Sequence, residues 1–384
     1  MRIAIDTTAM PRQPAGAGTY TRNLVLALGQ VDKENDYFVF ARRGAFREEE
    51  LGGGMRLVLQ DLPTRPQRAL WEQSLLPLYL RRLKIDLFHS PHHTLPLLAR
   101  VRQVVTFHDV TFFLIPERYP LLRRLYMQWA SRLSARRAHA VIAVSQTVRA
   151  DIVRVLKVPE GKVYVVPEAP GLLAGEETVA GSLDTQPTRA RAPTQWDGPS
   201  LPYPYILTVG TLEPGKNHRA LLLAFRELKG EPIGHKLVIA GQGGWRHERL
   251  PRLVEELGLA GEVFFTGYTP ARELAALYSG ASLFVFPSLY EGFGLPPLEA
   301  MAFGVPVVAS AAGALPEVLG DAALLVRPED HHSLAKAMAR ALADGELRRE
   351  LRERGLARAR EFSWESTARQ TIAVYRAVMG TGER

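Results

Sequence analysis

Cysteine is absent from the 384-residue chain, which excludes a disulfide framework, a thiolate nucleophile and Cys-ligated zinc. No uninterrupted apolar stretch reaches the roughly 18 residues that a membrane-spanning helix needs. The N-terminal Met1-Arg2-Ile3-Ala4-Ile5-Asp6 enters a strand-like run with neither a basic n-region nor a long apolar h-region, so a soluble cytoplasmic protein is the expectation. Asp-x-Asp occurs nowhere, which argues against a metal–diphosphate clamp. Ser145 has no Gly-x-Ser-x-Gly around it, so a serine hydrolase finds no support. No period of about 20 to 50 residues recurs, which sets aside a solenoid.

What is present is a globular composition, 46% hydrophobic, in a chain long enough for two domains of about 150 to 200 residues. Charge is uneven. Residues 1–170 carry 25 Lys and Arg against 15 Asp and Glu, and the remainder carries 23 against 25, so the net charge of +8 comes from the first half. Much of the excess lies at Arg65, Arg68, Arg81, Arg82 and Lys84, and again at Arg118, Arg123, Arg124, Arg132, Arg136 and Arg137. In the second group Leu122, Leu125, Tyr126 and Trp129 recur at helical spacing. Such a helix is either a solvated face of an ordinary domain or a surface that lies on an anionic bilayer, which would place the protein peripherally on the inner face of the membrane. Nucleic acid is not an expected partner, because none of its recognition motifs occurs.

Along the chain, short apolar runs alternate with amphipathic helical segments. Ile3–Ile5, Tyr37–Phe40, Arg56–Leu59, Leu87–His89, Val104–Phe107, Ala140–Val144 and Val163–Val166 read as buried strands, and Ser145 as the N-cap of a helix reaching about Leu156. Gly16 opens a helix to roughly Leu28. Residues 168–202 collapse into Gly, Pro, Ala, Thr and Ser and read as a flexible linker or insertion. Strands resume at Tyr205–Val209, Lys236–Ala240, Val263–Phe265, Leu283–Phe286, Val305–Ala309 and Ala323–Val326, with helices at His218–Leu228, Pro270–Tyr278 and Ser333–Leu342, and a long Arg-rich helical tail through Val378. The expected organisation is a domain over 1–167, the linker, a second domain over 203–361 and a terminal helical segment over 362–384. Each domain is a parallel sheet covered by helices on both faces. Two such domains enclose a cleft, and ligands bind at the carboxyl ends of their strands.

Candidate residues therefore stand just after strands. From Glu291 to Ala309 the pattern is glycine loop, short helix, strand. Pro296 and Pro297 fit only the first helical turn, and Gly304 sits where a helix ends. The helix end favours an anion. Glu291 and Glu299, with seven residues between them, bracket it, Glu299 being expected in the first helical turn. Carboxylates repel phosphate but accept bonds from hydroxyls, so sugar, diphosphate and ribose form one ligand with that layout. Lys216 stands at a helix start, where a cation is unfavourable unless an anion is bound. His108-Asp109 follows a strand directly, with a structural and a catalytic reading both open. Gly16 and Gly18 read alone as a turn. His92-His93 lacks carboxylate partners in sequence, and no metal ligand set is expected. His331-His332 reads as a helix start.

Taken together, Glu291-Gly292-Phe293-Gly294 through Glu299, Thr211-Leu212-Glu213-Pro214-Gly215-Lys216-Asn217, His108-Asp109, Gly16-x-Gly18 and Phe362-Ser363-Trp364-Glu365 resemble the retaining glycosyltransferases of the GT-B fold, family 4. The resemblance covers nearly all of the chain except 168–202. The Thr-Leu-Glu-Pro loop is most similar to bacterial mannosyltransferases of surface-polysaccharide assembly. The resemblance implies two Rossmann-like domains facing a cleft. It also implies transfer of a hexosyl group, mannosyl foremost, from a nucleoside diphosphate sugar (GDP-mannose favoured) to a hydroxyl of a glycan or lipid-linked acceptor, without a metal. By position, it implies that Glu299 holds the ribose and Glu291 the donor sugar. The Gly292, Phe293, Gly294 and Leu295 backbone would meet the sugar and diphosphate, and Lys216 would neutralise the diphosphate. Gly16, with Gly18, would let the first-domain loop close on the same phosphates, His108 would contact the donor sugar, Tyr268 and Thr269 would border the base, and Thr211 would belong to the donor loop. Where the family often carries an arginine before the lysine, this chain has Gly215. The final helix is implied to cross back onto the first domain. Alternatives are a UDP- or ADP-sugar-dependent glucosyltransferase or epimerase on the same fold, and a non-catalytic nucleotide-sugar or glycan-binding subunit.

Overall fold

The computed structural model describes residues 1–11, 13–62, 64–174, 201, 203–230, 234–244 and 247–380. Most of the expected linker, 175–200 with 202, lies outside the described residues. The chain divides into two compact units, Met1–Ala169 together with the segment from Phe362, and Pro170–Glu361.

The first unit is built on a seven-stranded parallel sheet: β1 (Arg2–Asp6), β2 (Asp36–Ala41), β3 (Met55–Leu59), β4 (Leu87–Ser90), β5 (Arg102–Phe107), β6 (Ala140–Ala143) and β7 (Val163–Val165). Its strand order is β3-β2-β1-β4-β5-β6-β7. Ile3 pairs with Tyr37 on one side and Leu87 on the other. The order reverses between β1 and β4, which opens a crevice at their carboxyl ends. Helices α1 (Ala17–Val31), α2 (Arg65–Arg82), α3 (Thr111–Leu114), α4 (Leu121–Arg137) and α5 (Gln146–Asp151) connect the strands. Thr64 caps α2 in a reciprocal box with Gln67, and Ser145 caps α5 through the Val148 N–H.

The second unit carries six parallel strands, β8 (Tyr205–Val209), β9 (Lys236–Ala240), β10 (Val263–Gly267), β11 (Leu283–Phe286), β12 (Val307–Ser310) and β13 (Ala323–Val326), in the order β10-β9-β8-β11-β12-β13. Here the reversal falls between β8 and β11. Its helices are α6 (His218–Leu228), α7 (Arg249–Glu256), α8 (Ala271–Gly280), α9 (Leu295–Ala302), α10 (Leu315–Leu319), α11 (His331–Ala343) and α12 (Gly345–Arg360). The central strands are buried on both faces, which is why they read as continuous apolar runs.

The expected single helical tail is two helices. After α12 the backbone extends at Ser363, whose hydroxyl accepts from the Ser366 N–H and starts α13 (Trp364–Met379). This last helix belongs to the first unit. Ala368, Ile372, Val374 and Tyr375 join the core of Ile3, Leu24 and Val39, the buried Tyr375 hydroxyl lies 2.6 Å from His89 Nδ1, and the Thr367 hydroxyl donates to the Pro167 carbonyl.

Candidate active site

In the second unit, β8, β11 and β12 are neighbours, so the loops leaving their carboxyl ends gather at the strand-order reversal. After β8 a single 3-10 turn, Pro214–Lys216, leads to Asn217, whose left-handed backbone (φ 55°) turns the chain into α6. The Asn217 amide donates to the carbonyls of Pro287 and Pro328 at 3.1 and 2.8 Å, tying the loops after β8, β11 and β13 together. Gly215, where the family often has arginine, is buried, and its carbonyl accepts from the Leu289 N–H. The Lys216 ammonium donates to Glu291 Oε1 at 2.6 Å with both side chains largely shielded. The cation that the sequence left without an anion thus faces a carboxylate from the next loop.

Glu291 is itself held from behind. Its carbonyl accepts from the Ala314 N–H at 2.8 Å, and a Cβ on Gly313 would stand 2.2 Å from that oxygen, at a φ of +58°. Gly294 caps α9 with φ +113°, and a Cβ there would meet Leu315 at 2.6 Å. Pro296 and Pro297 remove two N–H groups, so Leu295 alone supplies a donor among the first three residues of α9. An anion at this helix end must therefore be met by the glycine loop more than by the helix. Glu299 is the fifth residue of α9, in the second turn and not the first, because the helix begins only at Leu295. It is 7% exposed and accepts from the Tyr278 hydroxyl at 2.9 Å and the Gly171 N–H at 3.2 Å. Burial pushes its carboxyl up to about 7, against the pull of those two bonds.

Not every expected residue joins this group. Thr211 packs on the loop after β9, where a Cβ on Gly244 would come within 2.7 Å of it. Tyr268 and Thr269 follow the edge strand β10, two strand spacings or about 10 Å from β8. The Tyr268 phenol is raised by partial burial, and the Thr269 hydroxyl lies 2.8 Å from that of Thr266.

In the first unit Gly16 precedes α1 with φ 52° and ψ −118°, and a Cβ there would meet nothing within 4 Å. Gly18 lies in the first turn of α1 against Pro11. His108 follows β5, with Nδ1 2.7 Å from Glu168 Oε1, Nε2 2.9 Å from the Pro91 carbonyl, and the Tyr20 ring edge-on at 4.7 Å. Burial pushes the imidazole down, but the bond and charge of Glu168 outweigh it and raise its affinity for the proton. Asp6, Glu72 and His92 converge at the reversal between β1 and β4. The Arg68 guanidinium already fills that space, 3.2, 2.7 and 2.5 Å from them, in the place a metal ion would take.

Residues 14–169 match the family model described as Glycosyltransferase Family 4, and residues 197–358 the one described as Glycosyl transferases group 1. O-antigen chain mannosyltransferase B of Escherichia coli is 36% identical over 312 residues, which cover 81% of this chain and 77% of that protein. The chain belongs to the group 1, family 4 glycosyltransferases. This glycosyltransferase has the GT-B fold. Sucrose-phosphate synthase from Thermosynechococcus elongatus matches it at a TM-score of 0.77 and 23% identity with both chains covered in full. Anabaena HepE, solved with UDP and glucose, matches at 0.72 and 19% identity over 98% of this chain and 100% of its own.

Two residues of the glycosyltransferase escaped the sequence reading. Gly313 hides in the small-residue run Ser310-Ala311-Ala312-Gly313, and its position just after a strand is the signal that would have found it. Glu168 fell inside the stretch read as linker, although it too stands just past a strand, β7.

Proposed function

We propose that this glycosyltransferase moves a mannosyl group from GDP-mannose to a hydroxyl of a glycan or lipid-linked acceptor, with retention of anomeric configuration and without a metal. The single observation that carries the reading is the Lys216–Glu291 pair at the reversal of the second sheet. In it a cation suited to a leaving diphosphate and a carboxylate suited to sugar hydroxyls stand side by side. Glu299 takes the ribose, the Gly292–Leu295 backbone the diphosphate, and Tyr268 and Thr269 the base, with Thr211 in the donor loop. From the first unit, Gly16 and Gly18 are assigned to the phosphates and His108 to the donor sugar. As the bond from the sugar anomeric carbon to the diphosphate oxygen breaks, the electron pair leaves with GDP. The acceptor oxygen bonds the same face of the sugar, and its proton passes to the departing phosphate. No enzyme nucleophile is needed.

The basic first half supports a location on an anionic membrane at the cytoplasmic face. Along α4, Leu121, Leu122, Leu125, Tyr126 and Trp129 are all exposed, and Leu70, Leu75 and Leu78 are exposed along α2. Arg118, Arg123, Arg124, Arg132, Arg136 and Arg137 accompany them. Among the described residues no helix is long and apolar enough to cross a membrane.

A thermal-shift panel of GDP, UDP, ADP and CDP tests the donor, followed by incubation with each cognate sugar nucleotide and NMR of the product anomer. GDP is expected to give the largest shift, and GDP-mannose is expected to release GDP slowly without acceptor. A larger shift with UDP together with turnover of UDP-glucose would establish the glucosyl alternative, and no turnover of any donor, with or without a shift, would favour the non-catalytic binding subunit.

A further inference from the structure

We propose that Glu168 is a positioning residue of the transfer reaction, holding His108 as an imidazolium that staples the loop after β4 and the segment after β7 to the end of β5. The inference rests on the reading that His108 meets the donor sugar. The geometry carries it. A neutral imidazole has one N–H donor and one bare acceptor nitrogen. Here Nδ1 faces a carboxylate oxygen at 2.7 Å and Nε2 faces a backbone carbonyl at 2.9 Å. The carbonyl can only accept, and so can Glu168 as a carboxylate, so beside an ionised Glu168 only the doubly protonated ring satisfies both contacts. A ring with both protons committed has no lone pair for general-base work. It acts through its position and its charge.

The surroundings leave Glu168 as the group that sets this state. Tyr20 from α1 presents a ring edge, and its buried phenol stays neutral because burial raises it. His89 of β4 and His93 after β4 are neutral, each pushed by burial down to about 3. Asp109, next in the chain, adds a negative charge nearby, but its carboxylate bonds the Thr111 N–H and hydroxyl. Glu168 is buried, and its backbone is pinned just upstream. The Val166 N–H donates to Ala143 at 2.9 Å, and the Pro167 carbonyl accepts from Thr367 of α13 at 2.8 Å. The carboxylate is thus delivered to His108 by a fixed strand end.

When the ring loses its proton, one of the two bonds must go, and the staple opens. The test joins ¹⁵N NMR of labelled histidine with kcat and KM against pH for the wild type, Glu168→Gln and Glu168→Asp. In the wild type both His108 nitrogens are expected to be protonated at pH 7, and the alkaline limb of kcat to follow their titration. In Glu168→Gln the ring is expected to be neutral at pH 7. The limb should move toward acid by about one pH unit or more, and kcat at pH 7 should fall about tenfold or more with donor KM little changed. Glu168→Asp should recover part of both, since it restores the charge on a shorter arm. An imidazole that stays doubly protonated in Glu168→Gln, or a kcat profile that does not move, overturns the proposal. Should the wild type turn over no donor, the functional reading fails, while the NMR titration still decides whether Glu168 sets the ring's charge.

Discussion

Glu299 shows how much one residue can cost a fold. A carboxyl raised by burial from its ordinary 4.5 to about 7 keeps its proton in the folded chain after the unfolded chain has lost it. Stability therefore falls as pH rises from about 4.5 through 7, by on the order of 3 kcal/mol in all. Glu299→Gln is expected to raise the stability measured by denaturant melts at pH 8, with the gain shrinking toward pH 5, while nucleoside diphosphate binding weakens by about tenfold. Equal stability of variant and wild type at pH 8 would show that the carboxyl carries no such burden. At this scale the sequence was informative where chemistry was out of place. Lys216 at a helix start demanded an anion, and the Glu291 carboxylate stands beside it. Glu168 gave no such sign, because a lone glutamate next to a Pro- and Gly-rich stretch looks like any loop residue.

Among the elements, the α9 loop owes its shape to backbone freedom on both sides, Gly294 within it and Gly313 behind it. The strands were legible because burial on both faces turns them into apolar runs. Their order in the sheets was not, since nothing in an apolar run names its neighbour. Arginines continue through the last turns of α12, and the break before α13 falls at the Phe362-Ser363-Trp364-Glu365 motif, where Ser363 supplies the cap. The helix α4 makes its own prediction. Leu122 is 82% exposed, and such a side chain beside arginines suits the boundary of an anionic bilayer. Leu122→Ser with Leu125→Ser should leave the fold intact and reduce co-sedimentation with phosphatidylglycerol vesicles severalfold, while phosphatidylcholine vesicles bind neither form. Unchanged sedimentation would return the helix to the solvated reading.

At the scale of the whole molecule, the first unit depends on a helix that follows the second unit in sequence. Removing residues from Phe362 onward would uncover the core around Ile3, Leu24 and Val39 and leave buried His89 without the Tyr375 hydroxyl, a loss beyond the stability of an ordinary domain. Such a truncation is expected to be insoluble or to show no cooperative melt. A soluble truncated protein with a wild-type melting curve would mean that α13 adds nothing to that core. The sequence tail motif pointed to this return, but only the packing of Ala368, Ile372 and Tyr375 gives it a reason.

The division at Ala169 and Phe362 also bears on how such chains diversify. The second unit is one uninterrupted segment, Pro170–Glu361, and the sequence of the first is split around it. That segment could be exchanged whole by two crossovers with the first unit kept intact, whereas exchanging the first unit needs the sequence on both sides of the segment to change together. The two units are therefore unequally portable in this architecture, and the second is the one free to travel as a cassette.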